Sequence, residues 1–369
     1  MMCEYTQKSS YVPGILGFEE MGRQRKHSNP GCFLSRRHFD RHTSASCPFD
    51  LHVDLDTSFK CRYDASGKID PYANQHIGQR KLLLAEVQFL TRYAKASNMN
   101  VNRKAIVVYV GAAPGHHLSM LSVMFPFAKF ILYDTIEFSA FVIGDDHRFD
   151  IRRKVFDVIE CEGIRREYSG QDVDILFISD IRLTASAKDS FEIQVSHDMQ
   201  IQREWIRYLV PVLSLVKFRL PYTLQHGEKY EYLPGKLMFG IWPKPMSGET
   251  RLIVEMSDIE KSQEYDFKSY EETLAFHNQC KRSASFLEFI KDQRPHYLKY
   301  IQRNENIYCT CFDCTAELET FNQYLETLRP FGNCPFTDLD GINEMYARLF
   351  TRGRQEFPRS RDRFRGRGK

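Results

Sequence analysis

Lys217 stands inside an apolar run, SLVKFRLP, whose leucines, valine and phenylalanine read as a buried strand from Val212 to Leu220. An ammonium there is costly to desolvate unless it reaches a cleft at the strand end or a carboxylate. A lysine held in that way can have its pKa lowered far enough to take a proton near neutral pH. Two carboxylates sit at the ends of other apolar runs: Asp180 after DILFIS (Asp174 to Ser179), and Glu249 before TRLIVEM (Thr250 to Met256). The competing reading is an edge-strand lysine with a covered stem and a solvated ammonium.

A ligand site is signalled by AIVVYVGAAPGHHL, Ala105 to Leu118. A β-branched strand runs into Gly111-Ala112-Ala113-Pro114-Gly115, and apolar residues at helical spacing follow (Leu118, Leu121, Met124). Strand, small-residue turn and helix make room for a nucleotide-like ligand at the carboxyl edge of an open α/β sheet. The turn is neither G-x-G-x-x-G nor a P-loop, and Pro114 removes an N–H that a phosphate cradle would use. An adenosine-type ligand without a pyrophosphate fits it better than NAD or ATP. A second strand, Phe130 to Asp134, ends on an acid 23 residues past Gly111, where a carboxylate can accept from both ribose hydroxyls.

The elements that must carry these groups alternate. Lys81 to Ala96 is expected as a helix with Gly78-Gln79-Arg80 just ahead of it, Met199 to Val210 as another, and Asp258 to Arg282 as largely helical. Strands alternating with helices predict an α/β fold, with a mainly parallel sheet and helices on both faces. Four stretches are expected: a loosely structured basic extension over 1–65, the catalytic domain over 66–284, a smaller mixed Cys-containing segment over 285–351, and a disordered Arg-rich tail over 352–369.

The 369 residues carry a net charge of +3, but the tail alone holds seven arginines and one lysine against two acids, leaving about −3 for the rest. Such a tail reads as an arm for RNA phosphates or as a nuclear import signal. The first twenty residues contain Glu4, Lys8, Glu19 and Glu20 and no long apolar run, so an intracellular protein with reduced thiols is expected. No stretch has the length of a membrane span. Cys309, Cys311 and Cys314, with Cys334 downstream, offer four thiolates in an order open to zinc, although the first spacing is tight and packed thiols are the preferred reading.

GQRKLLL, VVYVGAAPG, LYD, ISDIR, LVKFRLPY and SGETRL, in this order and at these spacings, resemble the poxvirus cap-specific nucleoside 2′-O-methyltransferase family, whose poxvirus member also serves as the small subunit of the poly(A) polymerase. The likeness runs from about Gly78 to Arg282. It implies a Rossmann-like fold that uses S-adenosylmethionine, and a Lys-Asp-Lys-Glu tetrad shared with FtsJ-type RNA ribose methyltransferases. The matching positions are Lys81, Asp180, Lys217 and Glu249. By the same resemblance, Gln79, Tyr109, Gly111, Gly115 and Asp134 would hold the methyl donor, with Phe156 or Asp157 near its adenine. Lys217 would take the proton of a ribose 2′-hydroxyl, and no metal is required.

The resemblance also implies a pocket for the methylated guanine of an mRNA cap, where an aromatic ring and carboxylates supply cation–π attraction and hydrogen bonds. Tyr222 matches its stacking ring and Glu271 one carboxylate. The second carboxylate falls on Leu224 and the opposing ring on Met246, with Trp242 nearby. Expected partners are capped mRNA and a poly(A) polymerase or other capping or transcription proteins. The expected compartment is the nucleus for a cellular protein, which the tail favours, or the host cytoplasm for a poxvirus-like one. The rival reading is an RNA-binding or processivity subunit that keeps the fold without catalysis.

Overall fold

The structure is a computed structural model that describes residues 47–62, 78–97, 104–143, 147–182, 191–224, 227–244, 246–301, 310–332 and 334–345. Its strands are β1 (His52–Val53), β2 (Lys104–Val110), β3 (Ala128–Tyr133), β4 (Phe149–Arg152), β5 (Val173–Ser179), β6 (Leu213–Phe218), β7 (Lys229–Tyr232), β8 (Lys236–Met238), β9 (Thr250–Glu255) and β10 (Gln263–Asp266). The helices used below are α1 (Gly78–Ala96), α2 (Leu118–Met124), α3 (Ala140–Ile143), α4 (Val158–Glu167), α5 (Phe191–Leu209), α6 (Phe267–Gln279), α7 (Leu287–Gln293), α8 (Leu298–Ile301) and α9 (Phe312–Leu328).

One eight-stranded sheet has the order β1-β8-β9-β6-β5-β2-β3-β4. From β6 through β4 the pairings are parallel; β9, β8 and β1 continue the sheet antiparallel. The central β2 is buried from Ala105 to Val110, as expected for an Ile- and Val-rich strand covered on both faces. The chain leaves β2 toward β3 and β4, then returns to β5 and β6 on the other side. The sheet order therefore reverses between β2 and β5, which opens a crevice at their carboxyl ends. Gly111 follows β2 there and Asp180 follows β5. The structure bears out the α/β fold: α1 packs with α2 and α9, while α4 packs with α5, covering the two faces of the sheet.

Two stretches differ from expectation. Residues 259–266 are not helical: a short 3-10 helix ends at Asp258, and Gln263–Asp266 pairs antiparallel with β7. Only from Phe267 does the chain turn helical, capped by Asp266, whose side chain accepts from the Ser269 N–H. Residues 47–62, expected within a loose extension, pack instead. Leu51 and Val53 are buried, β1 pairs with β8, and Phe49 stacks on Phe289 with ring centroids 4.4 Å apart. A two-residue strand has no periodicity to read, and its partners are far away in the sequence. Residues 1–46, and the tail at 352–369, lie outside the described residues.

The chain beyond residue 285 shares the same apolar core. α9 is buried along most of its length although it carries Asp313, Glu317 and Glu319. Each acid meets an arginine from another element: Arg282 bonds Asp313 at 2.9 Å, Arg294 forks onto Glu319 with two bonds of 2.8 Å, and Arg80 pairs with Glu317. That last pair is fully buried on both sides, and the Trp242 indole N–H also donates to Glu317 at 3.0 Å. Glu317→Ala is expected to lower unfolding free energy by about 3 kcal/mol, because it strands the Arg80 charge. Urea unfolding checks this; an unchanged midpoint would remove the pair from any anchoring role.

Candidate active site

Three strand ends and one helix bring the four tetrad positions together. Lys217 comes from the end of β6, Asp180 from just beyond β5, Glu249 from just before β9, and Lys81 from the first turn of α1. Lys217 Nζ donates to the Asp180 main-chain oxygen at 3.0 Å. It also lies 3.1 Å from Asp180 Oδ1 and 4.0 Å from Glu249 Oε2. Lys81 Nζ bonds Glu249 Oε1 at 2.7 Å. The competing reading of Lys217, an amine snorkelling to water, does not hold, since the residue is 8% exposed and faces acids.

Arg251 joins this group. It shares a strand face with Glu249 at a two-residue interval, bridging Asp180 Oδ1 and Glu249 Oε1 with its two terminal nitrogens. Arg182 adds a longer contact of 3.7 Å to Glu249 and is itself held by the buried Asp198 at 3.2 Å. Burial lowers the Lys217 pKa; the acids Asp180 and Glu249 oppose this without cancelling it. Burial alone would raise Asp180, but Lys217, Arg251 and Lys81 outweigh it and hold the carboxyl below its ordinary value. Glu249, likewise raised by burial, is held well below its ordinary value by Arg251, Lys81 and Lys217.

The turn after β2 lies directly against the tetrad. Gly111 has φ +79°, and a Cβ placed there would come within 3.1 Å of the Asp180 and Ile181 backbone. Gly115 has φ +69°, and its Cβ would meet Leu118 at 2.7 Å. Only glycine allows both the conformation and the approach. Asp134 accepts from Ala113 N and Ile136 N, both at 3.0 Å, one on each carboxylate oxygen. It thus braces the turn and still keeps a lone pair on each oxygen for a ligand. Tyr109 is fully buried and donates to Glu86 at 2.7 Å, so it supports the floor of the turn from below. Gln79, in the first turn of α1, faces the same place through a contact of 2.8 Å with His117.

Phe156 and Asp157 are placed differently from the other expected donor residues. Phe156 is 3% exposed and packs on Tyr133, Phe177 and Trp205, so its ring belongs to the core. Asp157 caps α4 by accepting from Glu160 N. Ile136, which follows β3, and Val155 and Ile159, which follow β4, are exposed.

A cleft of about 580 Å³ opens beside Glu249. Tyr222, Leu224, Met246 and Glu271 all line it, together with Gly248 and Asn278. The four positions expected for cap recognition, two matching and two departing, are thus brought to one cavity. Tyr222 is 46% exposed. The Arg219 guanidinium sits 4.3 Å from its ring centroid, and Glu192 accepts both from Arg219 at 2.7 Å and from the Tyr222 N–H at 2.6 Å. Gly248 lies so close that an added Cβ would be 2.2 Å from the Tyr222 hydroxyl. Trp242 is in the core, with its indole on Glu317, and does not line the cleft.

A family model described as "Poly A polymerase regulatory subunit" matches residues 46–324, more than half of the chain. The chain belongs to this family. A fowlpox virus (strain NVSL) protein named cap-specific mRNA (nucleoside-2′-O-)-methyltransferase is 29% identical over 186 residues, which cover 48% of this chain and 57% of that protein. In that match the chain spans just over half of the relative's length. The protein of the same name from myxoma virus (strain Lausanne) is 23% identical over 311 residues, 80% of this chain and 88% of the relative. Human methyltransferase-like protein 13, solved with SAH, aligns over 55% of this chain and 91% of its own at 8% identity and a TM-score of 0.29. So slight a likeness adds nothing to the fold seen in the strand order.

For a member of the poly(A) polymerase regulatory subunit family, this site is built to hold an adenosine-type methyl donor. The small-residue turn that Gly111 brings against Asp180, and the Asp134 carboxylate with a lone pair left on each oxygen, fit S-adenosylmethionine. Arg251, Arg182, Glu86 and His117 were not singled out in the sequence. Arg251 was legible in principle, as a charge alternating with Glu249 in a strand. Among the described residues no group of three His, Cys, Asp or Glu side chains could hold a metal ion. Cys311 and Cys314 are buried at the start of α9, and Cys309 lies outside the described residues. Among the described residues no helix is long and apolar enough to cross a membrane.

Proposed function

We propose that this chain transfers a methyl group from S-adenosylmethionine to a ribose 2′-hydroxyl near the 5′ cap of mRNA, with Lys217 as the general base. The observation that carries the reading is the charge balance of the tetrad together with Arg251. Lys81 and Arg251 offset Asp180 and Glu249, so Lys217 is the surplus cation and its free amine leaves the group neutral. Two hydrogens of that amine remain on the Asp180 side-chain and main-chain oxygens. The third position around nitrogen is then a lone pair, free to take the hydroxyl proton. Asp180 fixes its direction, and Lys81 with Glu249 forms the opposite wall for the ribose. The donor, when bound, supplies a methyl on a sulfonium that needs only in-line positioning.

The names of the viral relatives support this substrate, and the cleft beside Glu249 supplies a place for the cap guanine. The Tyr222 ring, steadied by Arg219 and by an edge-on contact with Phe267 at 6.0 Å, is the aromatic surface this cleft offers for stacking. Among the described residues Glu271 is the one carboxylate lining the cleft, which supports it as the partner of the base edge; Leu224 and Met246 offer apolar contact where the second acid and ring were expected. Incubation with capped and uncapped short RNAs and labelled donor tests the reading. Transfer to capped RNA supports it; none to either, by protein that binds the donor, would sink it.

Gly248→Ala should push Tyr222 out of place and raise KM for capped RNA roughly tenfold, since an overpacked contact must shift a ring. Donor affinity should stay unchanged. A KM equal to wild type would show that the guanine lies elsewhere.

The family description also supports a second role beside a poly(A) polymerase. Co-purification with the polymerase of the same source tests it. The relatives are poxvirus proteins, which favours the cytoplasmic of the two compartments.

A further inference from the structure

Behind the glycine turn lies a set of buried polar groups that proton transfer does not use. Glu86 on α1 is 1% exposed, and His117 is 0% exposed. His117 Nε2 lies 3.0 Å from Glu86 Oε1 and 2.9 Å from Glu86 Oε2. The Tyr109 hydroxyl donates to the same carboxylate. On the far side of the ring, His117 Nδ1 is 2.8 Å from Gln79 Oε1. His117 is the residue that caps α2, yet its side chain makes no capping bond. Its ring is committed instead to joining two residues of α1. Gln79 and Glu86 are seven residues apart, two helical turns, and so share one face.

The geometry points to His117, anchored by Glu86, as a positioning residue that fixes the Gln79 carboxamide for the methyl donor. The inference rests on the donor reading of this pocket. The imidazole holds one end of the Gln79 carboxamide and so leaves the other end to the ligand. An amide has a polar partner for either group at the amino-acid end of S-adenosylmethionine, its N–H for the carboxylate or its oxygen for the ammonium. A free glutamine would have to order its side chain on binding; one already held spends less of its contact energy on that. The network also joins the three segments around the donor: the start of α1, the end of β2 and the exit of the turn.

Calorimetric titration with two ligands separates positioning from general damage. S-adenosylhomocysteine carries the amino-acid carboxylate, whereas 5′-methylthioadenosine lacks that whole end. His117→Gln can still reach Glu86 but no longer holds Gln79. It is expected to weaken S-adenosylhomocysteine binding roughly tenfold and to leave methylthioadenosine within about twofold, the size of one polar contact. His117→Asn keeps an amide beside Gln79 and should fall between wild type and His117→Gln. Gln79→Ala combined with His117→Gln should be no weaker than Gln79→Ala alone, because the two act through one contact. Equal losses for both ligands, unchanged S-adenosylhomocysteine affinity in His117→Gln, or additive effects would each overturn the inference. A wild-type protein that binds neither ligand would overturn the donor reading itself.

Discussion

Lys217→Ala is expected to lower the rate of methyl transfer by about a thousandfold, the contribution of one well-placed base. Donor affinity should survive, because Lys217 touches Asp180 and Glu249 and not the turn at Gly111 to Gly115. The fold should survive as well, since Arg251 still bridges both carboxylates after the amine is lost. Lys217→Arg is the sharper variant. It keeps a cation between the acids but cannot lose a proton in the working range. If Lys217 served only to orient the ribose by its charge, arginine would restore much of the rate; as a base it restores none. Single-turnover rates with saturating donor distinguish the two, and substantial activity in Lys217→Arg would remove the base role.

The pH dependence has a fixed sign. The reactive form is the free amine, and burial lowers the Lys217 pKa from its ordinary value. The rate should therefore rise with pH until that lowered pKa is passed and then level off. Protonation at lower pH removes the base and the rate falls with it. In Lys217→Ala this limb should disappear from the residual rate, leaving a profile without that inflection.

What could be read in the sequence divides by range. Lys217, Asp180 and Glu249 were legible because each interrupts or ends an apolar run, and a charge in such a place needs a partner. Gly111 and Asp134 were legible because strand, turn and acid lie within about two dozen residues. The chain does not show which separate runs will become neighbours in the sheet. Arg251 meets Asp180 only because β9 pairs antiparallel with β6, so the arginine was counted as part of a strand. His117 meets Glu86 only because α1 packs beside α2. Asp313, Glu317 and Glu319 of α9 gave no sign of burial, since an acidic helix face ordinarily lies in water; each of the three is buried because a distant arginine reaches it. Phe156, expected near the adenine by the resemblance alone, packs its ring against Tyr133 and Trp205.

Arg251 is where that missed neighbour has its largest consequence. It is 6% exposed, and its cation contributes to holding Asp180 low, Glu249 low and Lys217 low together. Arg251→Met removes the charge at similar length. Two effects should follow from one cause. Loss of a cation from between two partly buried acids should lower unfolding free energy by about 3 kcal/mol, the low end for breaking a buried pair. Loss of repulsion toward the Lys217 ammonium should raise the Lys217 pKa, so that less free amine is present at neutral pH. The rising limb of the rate profile then moves to higher pH, by about one unit, as expected for removal of an adjacent charge. Near pH 7 the variant should be slower by about the same tenfold factor, and raising the pH should recover most of it. Arg251→Lys restores the charge without the two-pronged bridge, so it should return the limb toward wild type while recovering only part of the stability. Urea unfolding and single-turnover rates from pH 6 to 10 report the two effects separately. A stable Arg251→Met protein with an unmoved limb would mean that Asp180 and Glu249 are held by the lysines alone.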